Sequence, residues 1–364
     1  MKIGSAAFIR LALGLSLAAL AGCTASGGRV ADIAGGAPPT MGATFERQEP
    51  FLVRAYRPVS RGRWVGNGVA YGPHRDGQRP GGAQPTAAQL REDLRLILRQ
   101  WHLIRLYGAV GPAEQILRVI EEDHLDLKVL LGIWVAPERR LDAAGAVVEE
   151  RPEAKTANRA EIETGLRLAA RYPTIVAGLC VGNETQIYWS GHRAPAEQLI
   201  LTLREVRARS RVPVTTGDDF NFWNKPESQA VARELDFIVA HMHPLWNGFQ
   251  VGEALGWTRT TWEGLVALHP DRLVVLGETG WATNKHNAGE QATLIKGEPG
   301  EIPQERFFRD FNGWVDGARI PAFWFEAFDE NWKGGEPPDE VEKHWGLFRA
   351  DRTPKPAMAG AAAR

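Results

Sequence analysis

Leu179-Cys180-Val181-Gly182-Asn183-Glu184 and Val274-Val275-Leu276-Gly277-Glu278-Thr279-Gly280-Trp281 decide how this chain folds. Each is an apolar run that breaks at a glycine and delivers a carboxylate. A short apolar run bounded in this way reads as a strand buried on both faces, the pattern of a parallel sheet. A carboxylate at its end is expensive to desolvate alone, so it needs a partner or a chemical task. In an eight-stranded α/β barrel the carboxyl ends of the strands form the active face. Neither glutamate has a Lys or Arg beside it in sequence, which favours a task over a simple ion pair.

Working outward, apolar runs alternate with helical stripes. Candidate strands are Val69–Gly72, Leu103–Gly108, Leu127–Trp134, Ile175–Gly182, Val212–Thr216, Phe237–His241, Leu273–Gly277 and Ala322–Glu326. Between them, Leu90/Leu94/Ile97/Trp101, Ile162/Leu166/Ala169 and Phe307/Phe308/Phe311/Trp314 recur at helical spacing. Eight such strands predict a closed (β/α)8 barrel, a TIM barrel, over residues 62–358. No Gly-rich dinucleotide fingerprint follows the first strand. The element after the eighth strand is expected to be short, because Glu336–Lys343 contains consecutive prolines.

The N-terminus carries a different signal. Lys2 and Arg10 flank a short start, and an apolar run follows, Leu11–Leu20, that is shorter than the ~20 residues needed to span a bilayer. It ends in Leu20-Ala21-Gly22-Cys23, which resembles the lipobox of bacterial lipoproteins. That resemblance implies a signal peptide over residues 1–22, acylation of Cys23 and a lipid anchor in a membrane of the cell envelope. Thr24 in place of Asp leans towards the outer membrane if the source is Gram-negative. Residues 23–61 are expected as the acylated cysteine and a tether, with Phe51–Tyr56 as an additional strand outside the main fold, and residues 359–364 as a disordered tail. Cys180 is then the one cysteine left in the body and reads as a small core residue. The formal net charge of -1 offers no basic face, which argues against a nucleic-acid partner. Thirteen Trp against five Tyr hint at a stacking surface.

The residues just past the strands are Tyr107, Trp134, Asn183, Glu184, Asp218, Asp219, His241, His243, Trp246, Glu278, Trp281, Glu326 and Trp332. A rim of carboxylates and indoles suits a carbohydrate, whose C–H faces stack on rings while its hydroxyls hydrogen-bond. Five ordered motifs resemble glycoside hydrolase family 17, the β-1,3-glucanases and related transglycosylases, and their bacterial branch in particular. They are Ile104-Arg105-Leu106-Tyr107-Gly108, Val181-Gly182-Asn183-Glu184, Gly277-Glu278-Thr279-Gly280-Trp281, Phe325–Lys333 and His344-Trp345-Gly346-Leu347-Phe348.

The resemblance implies a retaining glycosidase acting on β-1,3-glucan, with Glu278 as nucleophile and Glu184 as acid/base. It implies substrate contacts from Asn183, Tyr107, Arg105, His243, Trp246, Trp281, Glu326 and Trp134. No cofactor and no metal is expected. His241 and His243 share a strand face, but no third ligand is evident from the sequence. Ala282 stands where relatives have Pro, and His243 where plant relatives have Tyr. Hydrolysis and transglycosylation share one intermediate, so both stand at this point. A non-catalytic glucan-binding lipoprotein and a retaining enzyme for another linkage are the remaining alternatives.

Overall fold

The computed structural model describes residues 45–142 and 146–359. The signal segment, the lipobox with Cys23 and the tail from residue 360 lie outside the described residues. Eight parallel strands close into a barrel. They are β1 (Asn67–Ala70), β2 (Leu103–Arg105), β3 (Lys128–Ile133), β4 (Val176–Asn183), β5 (Val214–Asp219), β6 (Phe237–His241), β7 (Leu273–Thr279) and β8 (Ala322–Trp324). Each pairs with its sequence neighbours, and β8 closes on β1. The fold is the (β/α)8 barrel that the alternation predicts.

The strand pleat sorts the core into two shells. Residues facing the helices join the large outer cluster, among them Leu179, Val181, Val274 and Leu276. Their neighbours Cys180 and Val275 face inward with Leu103, Leu130, Phe237, Val239 and Phe323. This is the two-residue period of a strand with helices outside and a filled interior within. The free thiol of Cys180 is buried in that interior. The outer shell is sealed in part by the helix Glu301–Ala318, whose Phe307, Phe308 and Phe311 are buried and pack on Trp324 of β8.

The segment before the barrel differs from its expected role. Phe51–Tyr56 forms no strand. It lies against the amino-terminal end of the barrel, and Tyr56 enters the inner cluster, stacked on Phe237 with ring centroids 4.3 Å apart. Arg47, Arg207 and Arg272 each hold a guanidinium over the ring of Phe51. The Arg54 guanidinium donates to the carbonyls of Ser210, Val212 and Arg207. Residues 45–61 therefore belong to the folded body. A hydrophobic plug closes the barrel floor, and aromatic and cationic contacts fix the chain that carries it. A two-stranded hairpin follows at Val59–Ser60 and Arg63–Trp64. A second, Arg139–Leu141 with Val147–Glu150, projects after β3. Among the described residues no helix is long and apolar enough to cross a membrane.

Candidate active site

The strand registers shift where β4, β6 and β7 end. Cys180 pairs with Thr215 but Asn183 with Gly217, and Ala240 pairs with Leu276 but His241 with Glu278. An extra residue at such a bulge re-aims the side chains beyond it. Here it turns Asn183 and Glu278 to the mouth of the barrel. Glu184 follows with a positive φ of 50°, in the left-handed region that a non-glycine residue seldom adopts. Its N–H donates to the Gly217 carbonyl at 2.8 Å, so the neighbouring strand holds that conformation.

Arg105 lies beneath the two carboxylates, and it is fully buried. Its Nη1 donates to Glu278 Oε1 at 3.0 Å and to the Gly277 carbonyl at 2.8 Å, while Nη2 donates to Asn183 Oδ1 at 2.6 Å. Tyr107 donates its hydroxyl to Glu278 Oε1 at 2.9 Å, and its ring lies under the Arg105 guanidinium. His241 bridges the pair. Its Nδ1 is 3.0 Å from Glu184 Oε1, and its Nε2 is 3.0 Å from Arg105 Nη1 and 3.4 Å from Glu278 Oε1. His243 Nε2 is 3.2 Å from Glu278 Oε2, and the ring stands edge-on to Phe325 and Trp345. Two glycines make room for this layer. A Cβ on Gly217 would lie 2.6 Å from Arg105 Nη2, and one on Gly277 would lie 2.2 Å from Val239 and 2.9 Å from the His241 ring.

The carboxylates thus sit in contrasting surroundings. Burial works to raise Glu278, but His241, the hydrogen bond from His243 and the Arg105 guanidinium outweigh it and hold this carboxyl well below the usual carboxylate range. His243 is pushed up: burial opposes its charge, and its hydrogen bond and attraction to Glu278 prevail. Oxygens of Glu184 and Glu278 and a ring nitrogen of His241 all lie within 4.8 Å of one another. That spacing has the reach of a cation site, but the Arg105 guanidinium already supplies positive charge 3.0 Å from both His241 Nε2 and Glu278 Oε1. Glu184, His241, Arg105 and Glu278 form one hydrogen-bonded ion network.

A cleft of about 1090 Å³ opens over this layer. Tyr107, Trp134, Asn183, Glu184, His243, Trp246 and Glu278 all line it. Trp134 packs on His192, whose Nε2 is 2.7 Å from the Asn183 carbonyl oxygen. The Trp246 indole donates to Glu342 Oε1 at 3.2 Å. Three residues expected to touch substrate are placed elsewhere. Trp281 is fully buried, donates to the Glu298 carbonyl and packs on Phe307. Glu326 is also fully buried, and both its oxygens accept from Lys333 Nζ, at 2.7 and 2.6 Å. Lys333 itself lines the cleft and also pairs with Glu330 at 2.8 Å. Arg105 acts through Glu278 and Asn183 and does not line the cleft.

Several cleft residues were not singled out from the sequence. Glu161, on the helix Pro152–Arg171, accepts from the N–H groups of Ala109, Val110 and Trp134. Burial raises its carboxyl, against the pull of those three donors. Glu342 is pushed up to about 7, chiefly by burial. Tyr188, Trp189 and Glu330 complete much of the rim. The alternation of Glu with Ile in Ala160-Glu161-Ile162-Glu163 gives the only hint of Glu161, and it reads equally as an exposed helix face.

A family model described as the BtgE/BtgC glycoside hydrolase domain matches residues 68–346. The chain belongs to that family. A curated relative, the putative glucan endo-1,3-beta-glucosidase btgC of Aspergillus niger, is 27% identical over 297 residues, which cover 75% of this chain and 40% of that protein. The BtgE/BtgC match therefore spans less than half the length of such relatives. Among solved structures, an endo-laminarinase from Formosa Hel1_33_131 superposes with a TM-score of 0.70 at 21% identity, covering 82% of this chain and 88% of that one. A glycoside hydrolase family 17 beta-1,3-glucanosyltransferase from Rhizomucor miehei gives 0.61 at 21% identity, covering 80% and 95%. At that identity the two structures speak to the barrel, and the BtgE/BtgC model carries the family.

Proposed function

We propose that this BtgE/BtgC barrel is a retaining β-1,3-glucan glycosidase of the family 17 type, working by double displacement. Glu278 attacks the anomeric carbon and forms a glycosyl-enzyme. Glu184 gives a proton to the departing glycosidic oxygen and then takes one from the incoming acceptor. Tyr107, Arg105 and His243 fix Glu278 and keep it ionised, and Asn183 is placed for the sugar hydroxyl next to the anomeric carbon. The observation that carries the reading is the short gap between the two carboxylates: their nearest oxygens lie within 4.8 Å. Retaining enzymes need about 5–5.5 Å between the two carboxyl groups, and inverting ones need about 6.5–9.5 Å to admit a water. Hydrolysis and glucanosyl transfer differ only in what resolves the intermediate.

The deciding measurement is the anomeric configuration of the first product from laminari-oligosaccharides, followed by NMR before mutarotation. The β-anomer is expected; an α-anomer ends the double-displacement reading. Glu278→Gln should lower turnover on the order of 10⁴-fold with the fold intact; turnover at the parent rate would show that Glu278 is not the nucleophile, and binding without turnover in the parent would leave a binding protein. We also propose that Cys23 is acylated and anchors the enzyme in the cell envelope, in the outer membrane if the source is Gram-negative. The lipobox supports this. Cys23→Ser should abolish incorporation of labelled fatty acid, and undiminished labelling of that variant would end the idea.

A further inference from the structure

The formal net charge of -1 conceals an uneven distribution along the barrel axis. Every turn from a helix into the next barrel strand lies at the floor, opposite the cleft. Those turns carry exposed arginines. Arg99 follows the helix Ala87–Leu98, Arg233 follows Ser228–Ala232, Arg319 follows Glu301–Ala318, and Arg211 precedes β5. Arg57 stands before the hairpin that leads into β1, and Arg61 and Arg63 lie at its tip. Arg61 and Arg63 share the one carboxylate of Asp126, at 3.5 and 3.4 Å. The guanidiniums of Arg57, Arg99, Arg211, Arg233 and Arg319 have no ion-pair partner among the described residues. The acids of the same turns are engaged elsewhere: Asp123 by Arg91 and Arg95, Glu234 by Arg204, and Asp271 by Arg272. Three exposed apolar side chains share this face, Val59 of the hairpin, Leu268 at the end of the helix Val251–Leu268 and Leu273 at the start of β7. The mouth has the opposite sign. Among the described residues its cleft is lined by seven Asp and Glu residues and, of Lys and Arg, by Lys333 alone.

We propose that the barrel floor is a membrane-docking face, whose arginines pair with the phosphates of anionic lipids and whose apolar side chains enter the headgroup boundary. Guanidinium–phosphate pairing and an apolar residue between cations are the chemistry of such a surface. A bilayer is the partner because of where the chain enters the body. Arg47 and Gln48 reach Arg233 and Arg207 at the floor, and 21 residues separate Cys23 from Phe45. The proposal rests on the lipid-anchor reading above for that proximity and adds an orientation to it. A tether of this length spans up to about 75 Å at full stretch, so acylation alone leaves the barrel free to turn. A negative surface draws the floor in and repels the acidic mouth, so the docked enzyme holds its cleft away from the bilayer and open to a polymer.

The test mixes the full-length protein with vesicles of phosphatidylcholine, alone or with phosphatidylglycerol, and reads hydrogen exchange at the floor turns and at the hairpin after β3. Anionic vesicles should slow exchange around Val59–Trp64, Arg99 and Arg319 by about tenfold relative to neutral ones, leave the hairpin after β3 unchanged, and lose the effect in high salt. The combined variant Arg57→Ser, Arg99→Ser, Arg211→Ser, Arg233→Ser and Arg319→Ser changes exposed side chains only. It should turn over laminari-oligosaccharides at the parent rate, which reports its folding, and lose the protection. Equal exchange on both vesicle types, equal protection in the variant, or protection at the mouth overturns the proposal. So does equal protection by soluble polyphosphate at matched phosphate, which would make the floor a general polyanion site. Flotation on neutral vesicles reads the acyl chain separately. A protein that fails to float there and is still protected at the floor by anionic vesicles ends the anchor and upholds the docking face.

Discussion

The floor and the mouth of the barrel are built from the same strands, yet two residues of chain separate an apolar interior from an ionic one. On β2 the inward sequence runs Leu103 then Arg105; on β6 it runs Phe237, Val239, His241. At the floor the Tyr56 ring and its aliphatic neighbours need only shape and area. At the mouth, Arg105, His241 and Glu278 are no better exposed, and each is tolerated there because its partners neutralise it. Closing the floor with a residue from outside the barrel frees the interior layers above it to be small, and glycines 217 and 277 use that room to seat the guanidinium and the imidazole. The difference predicts that damage at the floor should cost stability alone, while damage at the mouth should cost stability and turnover together.

The sharpest way to break that contrast is Arg105→Met. It leaves Glu278 buried with its guanidinium partner removed, which should cost about 3–5 kcal/mol of stability. It should also lower kcat/KM by about 10³-fold by freeing Glu278 and Asn183 to move. The sign of the pH effect follows from the same contact. Removing a cation raises the Glu278 carboxyl, so the acid limb of the rate profile should move to higher pH. A pH–rate profile with an unmoved acid limb would mean that Arg105 does not set the charge of Glu278.

The matching change at the floor is Tyr56→Ala. Emptying the plug should cost about 3–5 kcal/mol in denaturant unfolding, the range for a large buried ring, with kcat/KM within about twofold of the parent enzyme at a temperature where both are folded. Tyr56→Phe is the control. Among the described residues the phenol oxygen has no hydrogen-bond partner, so its removal should leave stability level or slightly raised. A large drop in turnover for Tyr56→Ala would show that the floor and the mouth are coupled.

The strands and the glutamate pair were readable because each depends on a local pattern: an apolar run, a glycine, a carboxylate. What escaped depends on which layer a residue occupies, and period alone cannot give that. Trp281 follows its strand as Trp134 follows another, yet it turns into the outer shell against Phe307, whereas Trp134 lines the cleft. Glu326 reads as a rim acid until Lys333, seven residues on, is seen to cap both its oxygens. Arg105 sits on its expected strand but one layer below the cleft, where it holds Glu278 and Asn183. Tyr56 lies in a stretch, Phe51–Tyr56, that reads as an extra strand outside the barrel and not as its floor. Its reason for being ordered is Phe237, far away in sequence and in contact only once the barrel closes.

The smallest expected effect separates two carboxylates within the mouth itself. Glu278 is held below the usual range, so its contribution to stability is present above the unfolded carboxylate range and is lost only on strong acidification. Glu342, which receives the Trp246 indole, is pushed up to about 7 from 4.5, first by burial. The folded protein therefore binds the Glu342 proton more tightly than the unfolded chain does. Stability from this group is complete below about 4.5 and falls as pH rises through about 7. Asp219, also raised to about 7 by burial and by Glu184, slopes the same way. Thermal unfolding at about pH 5 and about pH 8 should show the parent protein losing a few degrees on the alkaline side, about what ~1 kcal/mol moves a domain of this size. In Glu342→Gln the side chain cannot ionise, so part of that loss should vanish, with the remainder from Asp219 and the other raised carboxyls, Asp218 and Glu161 among them, persisting. An unchanged difference between the two pH values would place Glu342 outside the charge balance of the mouth and leave the indole of Trp246 as its only concern.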